Sequence, residues 1–231
     1  MKKNEKVSLE EYVYEEIKKA ILNRKIPPKM QLNEEQLAEV FKVSRTPIRN
    51  VLRRLQYEKL VQIIPNKGAY IYEPTIEEIE EVFYLRTVLE LEAVKLACKV
   101  ATKEQLDELD KLTYLEEQLY KQGEYGNALP ITTNIHLGIV EMSGNKLMLE
   151  YCNELCNLTN VFLAFYDSVK TESPLAPCEH RNIIAAIREK DEEKAVSLFM
   201  DHFSRVKSYL RYNHKDNPIN LAEIFQPYKQ T

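Results

Sequence analysis

The sequence predicts a mainly α chain in two parts, a small helical domain carrying a β-hairpin and then an all-α bundle. Three observations carry this expectation. Apolar residues at helical spacing alternate with arginines around residues 43–55; two β-like runs joined by Pro65-Asn66-Lys67-Gly68 follow at once; and from residue 75 onward long helical periods succeed one another with short breaks.

The first amphipathic segment, 9–23, buries Tyr12, Val13, Ile17, Ala20 and Ile21 and stops before Pro27-Pro28, which cannot continue it. A short helix from Asn33 or Glu34 to Phe41 follows, then a tight turn. In the next run Val43, Ile48, Val51, Leu52 and Leu55 form one buried stripe, while Arg45, Arg49 and Arg53 recur every four residues on another face. Ser44 can cap this helix, and Pro47 is tolerated in a first turn that has no backbone bond to lose. Such a basic stripe also occurs on ordinary solvated helices. Its setting decides for nucleic acid: two helices before it, and after it the runs 60–64 and 69–72, whose Asn66 and Gly68 favour a tight turn with Lys67 at the tip. The order is that of a winged helix-turn-helix.

Charge divides the same way. Residues 1–75 carry 15 Lys and Arg against 10 Asp and Glu, net +5, while residues 76–231 carry 17 against 26, net −9. Only the first part would be drawn to a polyanion. No apolar run approaches the roughly 20 residues that span a bilayer, and the N-terminus is charged without a signal segment, so no membrane partner and a cytoplasmic location are expected. Cys98, Cys152, Cys156 and Cys178 form no CxxC pair; buried thiols are expected, with a redox or metal role open for Cys152 and Cys156, which share a helix face.

The expected domains are 1–74 and 75–231. In the second, Thr75 and Glu78 make a capping box at the head of a helix reaching Val100 that is apolar on more than one side. Thr102 with Gln105 caps a helix to about Gln122, and further helices are expected over 129–142, 145–167, 176–190 and 191–212. The tail 213–231 has two prolines and a weak apolar cluster, Ile219, Leu221, Ile224 and Phe225.

His136, His180 and His202 lie on three of these helices, each among apolar neighbours. They could converge in the bundle or sit separately at helix surfaces; spacing alone does not decide. Arg86, inside the apolar first helix, needs a partner such as Glu90 or a bound anion.

Residues 8–73 resemble the DNA-binding domain of the GntR family of bacterial transcription regulators. The resemblance rests on Ile21-Leu22, Pro27-Pro28, Leu32, Leu37-Ala38, Val43-Ser44-Arg45-Thr46-Pro47-Ile48-Arg49, Leu52, Leu55, Leu60-Val61 and Asn66-Lys67-Gly68-Ala69. Lys29 departs from a usual glycine and Asn50 from a usual glutamate. Residues 76–212 look like the FCD ligand-binding domain of the FadR subfamily, through Tyr84-Leu85-Arg86 with Glu90, Ile135-His136 before Ser143-Gly144-Asn145, Glu179-His180-Arg181 with Ile184-Ala185, and Asp191 with Ala195, Met200 and His202.

This resemblance implies a dimeric regulator, a repressor by expectation and not an enzyme, that binds double-stranded DNA at a palindromic operator and responds to a small effector, an organic acid with a carboxylate. Arg45, Thr46, Arg49 and Arg53 would enter the major groove or clamp its phosphates, with Lys67 and Gly68 reaching the minor groove or backbone. The family's metal ligands map onto His136, His180 and His202. Its aspartate, four residues before the first histidine, is Thr132 here. Three imidazoles still suffice for a divalent ion, with preference moved from Mn²⁺ toward Zn²⁺ or Ni²⁺. Arg86 and the three histidines are the expected effector contacts. Two alternatives stay open: a metal-free acyl-CoA-type pocket, and a metal-dependent bundle enzyme.

Overall fold

The computed structural model describes residues 8–23, 25–166, 176–208, 210 and 221–225. The chain divides into two compact units, residues 1–73 with 213–231, and residues 74–212.

The first unit is built on α1 (Leu9–Leu22), α2 (Glu34–Phe41) and α3 (Arg45–Tyr57). Ser8 Oγ accepts from the Glu11 N–H, and Asn33 Oδ1 accepts from the N–H groups of Glu35 and Gln36, so both α1 and α2 have side-chain caps. Ser44 stands at the N-cap of α3 in extended conformation, yet its side chain makes no capping bond, contrary to expectation. The α2–α3 turn is closed by Lys42 at φ 56, whose N–H bonds back to the end of α2. Val13, Ile17, Ile21, Leu37, Phe41, Ile48, Leu52 and Leu55 are buried together as one apolar core, which fixes which face of α3 is left outside. Truncating any of them, such as Leu52→Ala, would cost about 2–5 kcal/mol.

The wing consists of β2 (Val61–Ile64) and β3 (Gly68–Ile71), antiparallel with Ile64 opposite Gly68. Asn66 at φ 61 and Gly68 at φ +100 supply the positive-φ positions the turn requires, and Lys67 N–H closes it onto Ile64 O at 3.0 Å. A third strand, β1 (Gln31–Leu32), pairs with the other edge of β3, giving the order β1-β3-β2. Two residues are too short to leave a periodic signal, and β1 was not anticipated.

The second unit contains α4 (Ile76–Val100), α5 (Lys103–Lys121), α6 (Tyr125–Met142), α7 (Lys146–Tyr166), α8 (Ala176–Arg188) and α9 (Glu192–Ser208). Both expected capping boxes are present, Thr75 with Glu78 and Thr102 with Gln105. Helix α6 begins four residues before the expected 129, with Pro130 inside it. The expected ends of α7 at 167 and of α9 at 212 fall outside the described residues.

Helix α4 packs on α6, α7 and α9, and α5 on α6 and α8. Gly138 faces α5: a Cβ there would lie 2.5 Å from Leu109 Cδ2, so a larger residue at this position would require the Leu109 side chain to move. Glu116 of α5 lies against Thr132 of α6.

The expectation of a second domain running to 231 differs at the tail, which groups with the first unit. There α10 (Leu221–Ile224) packs on α2, and the rings of Phe225 and Phe41 lie 5.0 Å apart, both buried.

Candidate metal centre and nucleic-acid interface

His136 from α6, His180 from α8 and His202 from α9 are all buried, and one ring nitrogen of each lies within 4.8 Å of the others. The convergence that spacing left open is real in the fold. Each ring is held by its own carboxylate: His136 Nδ1 by Glu90 at 2.6 Å, His180 Nδ1 by Glu116 at 2.8 Å and His202 Nδ1 by Glu179 at 2.8 Å. An ionised carboxylate only accepts, so each Nδ1 carries the hydrogen and a neutral ring then presents a bare Nε2. His180 Nε2 and His202 Nε2 face each other at 3.3 Å. Two lone pairs so placed need a cation or a proton between them.

That separation also suits a small divalent ion. Metal–nitrogen bonds of about 2.0–2.1 Å set two tetrahedral donors roughly 3.3 Å apart. The donor set fits the ion the fold family implies, with carboxylates orienting every ring from behind. Burial pushes His136 below its ordinary range despite Glu90, and pushes His202 well below it with help from the other two rings. Neutral rings are the ligand form.

Of the three glutamates, Glu90 is bound by Arg86 Nε at 2.6 Å, and Glu179 is bound by Arg205. Burial alone would raise Glu90, but Arg86 and His136 hold it down at about 2. Arg86 is therefore paired with Glu90, as one of the sequence alternatives had it; it also stands 5.0 Å from the Phe203 ring and lines the cavity beside the histidines. Glu116 is wholly buried and takes the Thr132 hydroxyl as well as His180. Thr132 accordingly stands at the cavity wall as a neutral group.

The cavity measures about 70 Å³ and is lined by the three histidines, by polar Thr133, Asn160, Arg205 and Tyr120 and by apolar Phe83, Leu129 and Leu163. Sequence reasoning missed Glu116 and Arg205. Glu116 was detectable: it continues the buried stripe Leu106, Leu109, Thr113 of α5, where a carboxylate needs a reason. Cys152 and Cys156 are buried on α7, and burial pushes both thiols up to about 12, so neither is a thiolate at neutral pH. The redox or metal role left open for them loses its support.

In the first unit Arg45, Thr46, Arg49 and Arg53 are all exposed on the face of α3 opposite the core, and Lys67 and Gly68 are exposed at the wing turn. Arg45 is paired with Glu35 at 2.5 Å and Arg49 with Glu34 at 2.7 Å. Gln31 Nε2 donates to Lys67 O at 3.0 Å, tying the wing tip to β1. These residues offer one helix for a groove and a cation on an adjacent hairpin, the docking elements of a winged helix.

Comparison with known proteins gives the family of both units. Residues 9–71 match the family described as bacterial regulatory proteins, gntR family, and residues 81–205 match the FCD domain. The chain is 30% identical over 203 residues to the uncharacterized HTH-type transcriptional regulator YdhC of Bacillus subtilis, covering 86% of this chain and 89% of that protein. It is 26% identical to the Nta operon transcriptional regulator of Aminobacter aminovorans, covering 77% and 83% of the two. Among solved structures, Escherichia coli McbR/YncC shares the fold with a TM-score of 0.69 at 23% identity, covering 88% and 97% of the chains. No described helix is long and apolar enough to cross a membrane. The chain belongs to the GntR family of FCD-domain transcriptional regulators: it is an effector-responsive DNA-binding protein and not an enzyme.

Proposed function

We propose that this regulator works as a homodimeric repressor on a palindromic operator, with one divalent ion, Zn²⁺ or Ni²⁺ in preference to Mn²⁺, held by His136, His180 and His202. When bound, the ion supplies a Lewis-acid position for a small organic acid. Arg86, paired with Glu90 and lining the cavity, would contact the effector together with the histidines, and Arg205, Asn160 and Thr133 line the rest of its wall. The observation that carries the metal reading is the 3.3 Å approach of His180 Nε2 to His202 Nε2, with the Nδ1 of each ring on a carboxylate. Nitrogen donors with no carboxylate among the ligands favour Zn²⁺ and Ni²⁺. A cavity of about 70 Å³ favours a small acid over an acyl-CoA chain.

In the DNA-binding unit Arg45, Thr46, Arg49 and Arg53 would read or clamp the major groove, and Lys67 with Gly68 would contact the minor groove or backbone. Two copies suit the task because one short helix reads few base pairs.

Metal analysis of the purified protein tests the centre. The expected result is close to one equivalent of Zn²⁺ or Ni²⁺ per chain, reduced to a similar degree by His136→Ala, His180→Ala and His202→Ala, and unaffected by His214→Ala, which lies outside the described residues. Because protons compete for the rings and burial lowers His136 and His202, occupancy should hold to below the ordinary imidazole value near ~6.5 before falling. Full metal content in His136→Ala would reject the centre.

A further inference from the structure

We propose that Glu116 sets the charge and the metal preference of this centre, acting as a positioning residue from behind His180. The proposal rests on the three-histidine centre described above and concerns a residue outside its ligand set.

Charge balance singles Glu116 out. Three carboxylates back the three rings, and two of them are neutralised by arginine: Glu90 by Arg86 and Glu179 by Arg205. Glu116 has no lysine or arginine partner among the described residues. Its two contacts are His180 Nδ1 at 2.8 Å and the hydroxyl of Thr132, and its side chain is 0% exposed. A buried carboxylate without a counter-charge is costly in an apolar interior. Here it lies one imidazole ring away from the point where the bare nitrogens meet. A divalent ion at that point would supply positive charge in place of a proton shared by the rings, and the ring between would transmit the carboxylate's basicity to Nε2.

Thr132 completes the device. Its hydroxyl hydrogen is committed to Glu116, and it brings no charge to the cavity wall. The centre's negative charge therefore sits behind a nitrogen donor instead of on an oxygen donor. Such an arrangement retains attraction for a dication while keeping nitrogen as the bonding atom, which favours Zn²⁺ or Ni²⁺ over Mn²⁺.

Glu116→Gln isolates the charge. The glutamine Oε1 can accept from His180 Nδ1–H and its amide can donate to Thr132 Oγ1, so both hydrogen bonds have replacements. The full-length protein, stripped of metal, is titrated with Zn²⁺ and separately with Mn²⁺ against a competing chelator, and its thermal melting is followed with and without Zn²⁺. Glu116→Gln is expected to weaken Zn²⁺ binding about 10–100-fold. Its metal-free form should melt close to the wild-type temperature, since both hydrogen bonds of the carboxylate have replacements. Thr132→Val, which keeps the charge and loses one hydrogen bond, should lose much less Zn²⁺ affinity.

The separation of the two readouts is the signature: Zn²⁺ affinity falls while metal-free stability is kept. A Glu116→Gln protein with wild-type Zn²⁺ affinity overturns the proposal. So does one in which metal-free stability and Zn²⁺ affinity fall together, which would make Glu116 a packing residue. A wild-type protein that takes up neither Zn²⁺ nor Ni²⁺ overturns the centre and this proposal with it, while Zn²⁺ uptake that survives Glu116→Gln rejects only the role of Glu116.

Discussion

Arg45 and Arg49 are exposed and already paired with Glu35 and Glu34, so in the proposed duplex contact each would exchange a carboxylate for a base edge or phosphate. Exposed pairs of this kind contribute about 0–1 kcal/mol, less than a good bidentate base contact at about 1–3 kcal/mol, so the exchange is favourable where the base is right. If Arg49 reads a base, Arg49→Ala should cost about 1–3 kcal/mol on a duplex selected from a random pool and relax preference at one base pair. Lys67→Ala should weaken all duplexes more evenly. Titrations of both variants on selected and scrambled duplexes decide between the roles, and an Arg49→Ala protein with undiminished affinity would remove Arg49 from the reading surface. At this scale the sequence was legible where a residue type and its family position coincide, as for the three histidines. It was not legible where the role depends on a partner from another helix. Glu116 could be picked out as a carboxylate on the buried stripe of α5, but its partners, His180 and Thr132, come from α8 and α6 and are not written beside it. Lys29 is an instructive departure: it holds φ 63, where its family usually has glycine, and its N–H still bonds Ile71 O at 3.1 Å. The backbone requirement has been kept and the strain accepted.

The helices of the bundle were legible because their boundaries carry local chemistry. The capping boxes at Thr75 and Thr102 satisfy orphan donors with side chains three residues on, a relation visible in sequence. The start of α6 was misread because a proline usually marks a first turn, whereas Pro130 sits inside the helix beyond Asn127 and Ala128. Helix α4 also explains why its sequence looked apolar on more than one side. Ile79, Val82, Phe83, Ala93 and Val94 are buried in the bundle, while Tyr84 is 72%, Leu85 45% and Val88 48% exposed, all at helical neighbour spacing. We propose this outer stripe as the dimer contact. Removal of such apolar surface from water contributes about 25 cal/mol per Å², so placing charge in the stripe should be decisive. Sedimentation of the full chain should give a dimer, and Leu85→Glu with Val88→Glu should give a folded monomer. A double variant that remains dimeric would move the interface to another face.

Across the whole molecule, the described tail residues 221–225 belong to the same unit as α1–α3, although the bundle lies between them in sequence. Composition could not reveal this, because four apolar residues in a polar tail do not say which surface they cover. The fold does: Leu221 and Phe225 are each 4% exposed, and Phe225 lies against Phe41, the last residue of the helix that precedes α3. The tail is therefore part of what holds α2 in place. Phe225→Ala removes a buried ring, a change that costs about 3–5 kcal/mol in a well-packed core. A domain of this size has only about 5–15 kcal/mol in total. The first unit of the variant should accordingly unfold at clearly lower denaturant, with hydrogen exchange accelerating in α2 and in its partners across the same core. The bundle, whose buried residues do not include Phe225, should keep its own transition and its own metal content. Duplex affinity should fall in proportion to the population of unfolded first unit and recover on cooling toward conditions where that unit is folded. Unchanged exchange in α2 of Phe225→Ala would mean that the tail rests on the winged helix without supporting it.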